Sequence, residues 1–186
     1  MRCFVALSLN KKDKARIFRA AKMLQELDMP VEWIDPKNYH ITLKFLGDVP
    51  DDMIESVEQA IDRVALLTPA LEISVQSFGA FPTIRSPKLI WIGVDPTPAL
   101  RCLKQDLEWS LNKCGFKRET KTFQPHLTLG RARGHDGAGS FRGLDEKAAN
   151  IDYRSDIKIH KIDLIRSHMS DIGAQYDIYS SAKFGG

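Results

Sequence analysis

The sequence predicts an α+β fold of two lobes, each built in the order strand, helix, histidine strand, helix, strand, and related by a pseudo-twofold axis. Three observations carry this. Asn38 to Gly47 reads Asn-Tyr-His-Ile-Thr-Leu-Lys-Phe-Leu-Gly. As a strand it sends His40, Thr42 and Lys44 to one face and Ile41, Leu43 and Phe45 to the other. Pro125 to Gly130, Pro-His-Leu-Thr-Leu-Gly, repeats the pattern with His126 and Thr128 opposed to Leu127 and Leu129. The histidines are 86 residues apart, and the same step carries the strand at 2–8 onto 88–94, the helix at 11–27 onto 97–113, and the strand at 71–78 onto 157–164. A single domain over 1–186 follows, with repeat halves of approximately 1–80 and 87–166 and a C-terminal strand at 175–184. Symmetric lobes would bring both His-x-Thr strands to one shared cleft.

Taken in order, Cys3 to Leu9 alternates and is rich in strand formers. Lys12 to Leu27 places Ala15, Phe18, Ala21, Met23, Leu24 and Leu27 at roughly helical spacing, and Asp28, Met29 and Pro30 end it. A short extended piece, Val31 to Ile34, leads to the His40 strand. Asp51 to Leu67 is a helix with its carboxylates in the first turn, where the macrodipole favours them. Leu71 to Phe78 is a strand with Leu71, Ile73, Val75 and Ser77 on one face, Gly79 to Pro87 a loop, and Lys88 to Val94 a strand. Asp95 to Pro98 opens a helix running to about Cys114, with Gly115 as its stop. Gly134 to Gly143 reads as a surface loop, and the counterpart of the second helix, around Ala138 to Ile151, is interrupted by glycine and short. Asp156 to Arg166 and Gln175 to Phe184 read as strands joined by a turn around Ser170 to Gly173.

Composition narrows the class. The 186 residues are 43% hydrophobic and 27% charged, ordinary for a soluble globular domain. A net charge of +3 marks no global nucleic-acid coat, so any anion site is local. Cys3, Cys102 and Cys114 are odd in number and lack Cys-x-x-Cys spacing, which argues against a disulfide framework or structural zinc and fits a reducing cytosol. The apolar start is too short for a signal peptide and nothing is long enough to span a bilayer. The expectation is a soluble cytoplasmic monomer with no membrane and no obligate protein partner.

His40 to Gly47 and Phe123 to Arg131, Phe-Gln-Pro-His-Leu-Thr-Leu-Gly-Arg, resemble the paired signatures of the 2H phosphoesterase superfamily. Phe78 to Pro82 and Pro87 to Val94 are similar to its branch of RNA 2′,3′-cyclic phosphodiesterases, also called 2′-5′ RNA ligases. The likeness covers nearly the whole chain. It implies antiparallel sheets facing a central groove with helices outside, RNA ends or nucleotides bearing 2′,3′-cyclic phosphate as partners, and a 2′-phosphomonoester as product. It also implies His40 as proton donor and His126 as proton acceptor, with Thr42 and Thr128 beside them. Gly134 to Gly143 matches no signature of the family.

The chemistry gives a reason for each residue type. Opening a cyclic phosphate needs a base to activate water and an acid to protonate the departing oxygen in line, and imidazole, with an ordinary pKa of ~6.5, serves as either. Pseudo-symmetry leaves the reverse assignment open on the residues alone. Threonine hydroxyls two residues along the same face donate to the phosphate oxygens. This scheme needs no metal or cofactor, and a zinc site on His40 and His126 lacks a third ligand. Arg131 points away from the His126 face on a straight strand, unless a bulge at Gly130 swings it round. Lys44 shares the His40 face, and Phe81, in a loop, is placed to stack on a nucleobase. Phe45 reads as core and Tyr176 as packing. Arg85 and Arg133 are candidates for steering RNA phosphates, while His135, His160 and His168 match no motif. Two other functions are carried: 2′-5′ ligation, the same reaction reversed, and an RNA-end-binding module without turnover.

Overall fold

The computed structural model describes residues 1–134, 139–170 and 173–186. Part of the Gly134 to Gly143 loop, including His135, and part of the turn around Ser170 to Gly173 therefore lie outside the described residues. Strands β1 (Arg2–Ser8), β2 (Val31–Trp33) and β3 (His40–Asp48) enclose helices α1 (Lys11–Ala20) and α2 (Lys22–Gln25) and a single 3₁₀ turn at Pro36–Asn38. Then come α3 (Asp51–Leu67), β4 (Leu71–Pro82), β5 (Pro87–Val94), α4 (Pro98–Asn112) and β6 (His126–Ala132). The chain finishes with α5 (Leu144–Asn150), β7 (Arg154–Ile159), β8 (Lys161–Ser170) and β9 (Gly173–Lys183).

Local chemistry sets several boundaries. Asn10 caps α1 by accepting from the Asp13 backbone N–H at 2.8 Å while its amide donates to the Asp13 carboxylate at 2.6 Å. The single helix expected over Lys12 to Leu27 is broken at Ala21. Thr97 caps α4, whose first residue is Pro98. The strand expected to stop at Phe78 runs on to Pro82 because it pairs with β5 as far as Pro87. The strand expected over Asp156 to Arg166 is two strands: β7 pairs with β4, and β8 pairs with β1 and β9.

Among the described residues the strands form one antiparallel sheet in the order β7-β4-β5-β6-β3-β1-β8-β9, with β2 beside β6. Its two halves meet through one pair, Ile41 opposite Leu127, so the expected two sheets are halves of a single sheet joined at that point. Helices cover one face, where Val5, Leu7, Ile41, Leu43, Ile73, Ile90, Ile92 and Leu127 pack with Ile17, Leu24, Val57, Leu103 and Leu107, all 2% exposed or less. Removing such side chains from water stabilises by about 1.5–3 kcal/mol each. No described helix is long and apolar enough to cross a membrane.

The repeat is present, with two refinements. Ser8 pairs with His40 and Gly93 with His126, so β1 corresponds to β5 at an offset of 85 rather than 86. The strands that close the halves are exchanged: β4, from the first half of the sequence, lies against β5, and β8, from the second, lies against β1. Each lobe in space therefore takes two strands from the other half of the chain, β8 and β9 beside β1, and β4 and β2 beside β5 and β6.

Candidate active site

Ile41 and Leu127 face the helices, so their neighbours face the opposite side of the sheet. Carried one residue to either side of that single pair, Ile41 with Leu127, an antiparallel register sets His40 opposite Thr128 and Thr42 opposite His126. In a regular ladder such cross-strand Cβ atoms are ~5 Å apart and the His-to-His diagonal is about 7–8 Å, room for one phosphate. All four residues line a single groove of about 730 Å³.

Both imidazoles are held in one orientation by matched contacts. His40 Nδ1 lies 2.7 Å from the Asn38 carbonyl oxygen and His126 Nδ1 lies 2.8 Å from that of Gln124. A carbonyl only accepts, so Nδ1 carries the proton in each ring and Nε2 is the atom left to bind or release a proton. The surroundings differ. His40 packs on Phe4 at 4.8 Å and meets the edge of Tyr176 at 5.4 Å. His126 meets Phe81 at 5.1 Å and Trp91 at 6.3 Å. Burial pushes the His40 pKa down to about 4; the Asn38 carbonyl opposes this, and the charges of Lys14 and Arg131 add to it.

Two β-bulges decide what else reaches the groove. On β3 the register with β1 slips between Thr42 and Lys44, and on β6 the register with β5 slips between Thr128 and Gly130. Each slip puts two successive residues on the helix side and turns the next back to the groove. Arg131 is thereby swung into the groove, and Phe45, at the equivalent position, is there too, 69% exposed. Phe45 is thus not core, contrary to the alternation of the sequence. At Gly130 an added Cβ would lie 2.6 Å from Val31 Cγ1 and 2.9 Å from the Trp33 ring, so β2 can pair closely only over glycine.

Lys44 is corrected by the same bulge. It is 2% exposed on the helix side, donating to Glu108 Oε2 at 2.7 Å and to the Lys117 carbonyl at 2.8 Å. Lys104 joins them, donating to Glu108 at 2.6 Å, to Glu119 at 2.7 Å and to the Leu43 carbonyl at 2.6 Å. Burial pushes the Glu108 carboxyl up, but the hydrogen bonds from Lys104 and Lys44 outweigh it and hold the group below the usual carboxylate range. Lys44 is therefore a buried ion-pair partner and not a groove residue. It helps tie down the irregular segment that brings Glu119, Lys121, Thr122, Phe123 and Gln124 to the groove wall.

Phe81 does line the groove, from strand β4 rather than a loop, half-buried against Trp91 at 5.0 Å. A third bulge, at Ser77 with φ of +64°, moves Phe78 and Ala80 to the core face and so aims Phe81 at His126. Tyr176 and His168 also line the groove, though neither belongs to a motif. Arg85, Arg133 and His160 are exposed outside it. Among the described residues no group of three His, Cys, Asp or Glu side chains is placed to hold a metal ion.

Comparison with known proteins identifies the family and the fold. The sequence model of the 2′-5′ RNA ligase superfamily matches residues 14–170. A protein named RNA 2′,3′-cyclic phosphodiesterase from Archaeoglobus fulgidus is 35% identical over 133 residues, covering 72% of this chain and 73% of that one. A protein of the same name from Methanothermobacter thermautotrophicus is 28% identical over 176 residues, 95% of each. In fold, the chain is similar to TT0787 of Thermus thermophilus, with a TM-score of 0.83 at 19% identity, covering 100% of this chain and 99% of that chain. It is also similar to E. coli LigT complexed with 3′-AMP, with a TM-score of 0.76 at 19% identity, covering 100% and 98%.

Proposed function

The chain belongs to the 2′-5′ RNA ligase superfamily, and from that premise we propose that its groove hydrolyses 2′,3′-cyclic phosphate at RNA ends to a 2′-phosphomonoester by two-histidine acid-base catalysis. The observation that carries the reading is the matched pair of Nδ1 to carbonyl contacts, which present two Nε2 atoms to one groove from adjoining strands. With the phosphorus between them, His126 Nε2 takes a proton from water as the water oxygen bonds to phosphorus. The bond from phosphorus to O3′ breaks, and His40 Nε2–H gives its proton to O3′, leaving a 3′-hydroxyl and a 2′-phosphate. Solvent returns each ring to its starting state.

Thr42 and Thr128 donate to the non-bridging oxygens, and Arg131 meets the growing charge. Phe45 and Phe81 offer rings for bases. His40, held neutral at pH 7 by its crowded site, gains its proton as the phosphate anion enters, since an opposite charge at hydrogen-bond range favours imidazolium.

The test is incubation with an oligonucleotide ending in 2′,3′-cyclic phosphate, with the product's phosphate position identified, in the presence and absence of chelator. A 2′-phosphate formed equally in chelator is expected, whereas activity that vanishes in chelator and returns with zinc would overturn the acid-base scheme. The ligase reading uses the same groove with a ribose hydroxyl in place of water; it is favoured if added 5′-hydroxyl RNA gives 2′-5′-joined product faster than hydrolysis. Binding without turnover would leave an RNA-end-binding module.

A further inference from the structure

Helix α1 concentrates positive charge that the whole-chain balance conceals. From Lys11 to Lys22 stand six cations, Lys11, Lys12, Lys14, Arg16, Arg19 and Lys22, against one carboxylate, Asp13. That stretch is net +5, and because the chain is net +3 the remaining residues are net −2. Asp13 does little to neutralise it, being 8% exposed, engaged with its Asn10 cap and no nearer than 3.8 Å to Arg16. An ordinary solvated helix face mixes signs at neighbouring positions. Here Lys12, Arg16 and Arg19 follow one stripe at i, i+4 and i+7 with all three exposed.

The position of this helix gives the charge a direction. Near its start, Lys14 Nζ donates to the Lys37 carbonyl at 2.7 Å, in the turn that carries Asn38 and then His40 into the groove. Farther on, across a helix ~15 Å long, Arg16 and Arg19 open on a shallow pocket of about 480 Å³ with Arg154 and Tyr153. Arg154 is braced there by the Ser74 hydroxyl at 3.1 Å and has Asp156 at 3.7 Å. Cations thus run from Lys14, against the turn that leads into the groove, to the pocket of Arg16, Arg19 and Arg154, where Asp156 and Asp95, at 3.7 and 4.0 Å, offset part of the Arg154 charge.

We infer that α1 and the Arg16, Arg19 and Arg154 pocket form a track for the phosphodiester backbone of single-stranded RNA on the 5′ side of the reacting end. The assignment rests on the hydrolase reading, which makes the groove the place where an RNA end enters. It prefers RNA over an anionic membrane because Lys14 contacts the turn at Lys37, whose next residue, Asn38, lines that groove, although the half-exposed Phe18 and Met23 on the same helices would suit lipid.

The test compares a single-stranded oligonucleotide ending in 2′,3′-cyclic phosphate with adenosine 2′,3′-cyclic phosphate, in wild type, R16A/R19A and R16K/R19K, over a salt series. Both arginines are exposed helix residues that alanine replaces without loss of helix propensity. In R16A/R19A the KM for the oligonucleotide should rise several-fold. The slope of log kcat/KM against log salt should flatten by about 0.7 for each cation removed. R16K/R19K should restore both, and the mononucleotide should be hydrolysed as by wild type. An equal loss on both substrates, or an unchanged salt slope, overturns the track.

If wild type hydrolyses neither substrate, the hydrolase reading fails, and the track is judged by binding of the same oligonucleotide ending in 2′-phosphate. An affinity unaltered in R16A/R19A then overturns it. Tighter binding to phosphatidylserine vesicles than to the oligonucleotide overturns it in favour of a lipid surface.

Discussion

Replacing Lys44 by methionine probes the buried ionic cluster behind the groove. The ammonium is lost from a site 2% exposed, where it contacts Glu108 at 2.7 Å and the Lys117 carbonyl at 2.8 Å. Breaking one side of a buried pair typically costs 3–5 kcal/mol because the other charge is stranded. Glu108 is not stranded completely, since Lys104 and the Glu119 backbone N–H, at 2.6 and 3.1 Å, still reach it. The low end is therefore expected, about 3 kcal/mol, or a fall in Tm of about 6–12 °C for a chain of this size. Lys44→Met/Glu108→Met removes both charges and should cost clearly less than the two single replacements summed. Thermal unfolding of the three variants beside wild type measures this. The segment running to Gln124 loses an anchor in Lys44→Met, so kcat/KM should fall as well. A loss under about 0.5 kcal/mol, the size of an ordinary surface change, or strict additivity, would refute the account of Lys44 as a buried pair.

His40→Ala and His126→Ala should each cost about 10²–10⁴-fold in kcat/KM, and the double replacement much less than the product of the two, as steady-state kinetics would read; wild-type turnover in both would end the acid-base reading. Thr42→Val and Thr128→Val should lower kcat while leaving both limbs of the pH profile in place. The acid limb of kcat/KM should lie near pH 4 in the free enzyme and move upward in Arg131→Gln, because a positive charge that holds His40 down is removed; a limb that stays put would deny that Arg131 faces His40. For stability the sign is set by a folded pKa below the unfolded one. The unfolded chain takes up the proton first, so stability falls as pH drops from ~6.5 to 4, by up to about 3 kcal/mol. His40→Ala should flatten that decline in denaturant titrations. Gly79→Ala would set a Cβ 2.5 Å from the Trp91 ring, so the ring beside His126 must shift and KM should rise.

The sequence exposed the parts of the site that depend on local rules. Period-2 alternation in two short strands put His40, Thr42, His126 and Thr128 on their faces, and repetition paired them. Its errors of strand face share one cause. At Leu43, Ser77 and Leu129 a bulge adds a residue to one strand, and every side chain beyond it changes face without any change in hydrophobic pattern. Gly130 was a usable sign of this for Arg131, since the close approach of Val31 and Trp33 requires glycine; Leu43 carries no such sign, so Lys44 and Phe45 were exchanged between groove and core. Glu108, which explains why a lysine can be buried there, is 64 residues away in sequence and invisible to any local pattern. Tyr176 reaches His40 only through the pairing of β8 with β9. The charge on α1 was legible as letters, yet the balanced total hid it.

The exchange of β4 and β8 between the lobes bears on how the molecule can come apart. The turn at 83–86 joins the two halves of the sequence and is also the tip of the β4–β5 hairpin. A fragment ending before it holds β4 without its partner β5 and β1 without β8; the other fragment lacks the converse partners. Neither piece retains a closed half-sheet, so neither half of the sequence can build a lobe on its own. A chain nicked in that turn should either stay associated through the five interchain ladders, β1–β8, β2–β6, β3–β6, β4–β5 and β4–β7, or lose its structure in both pieces at once.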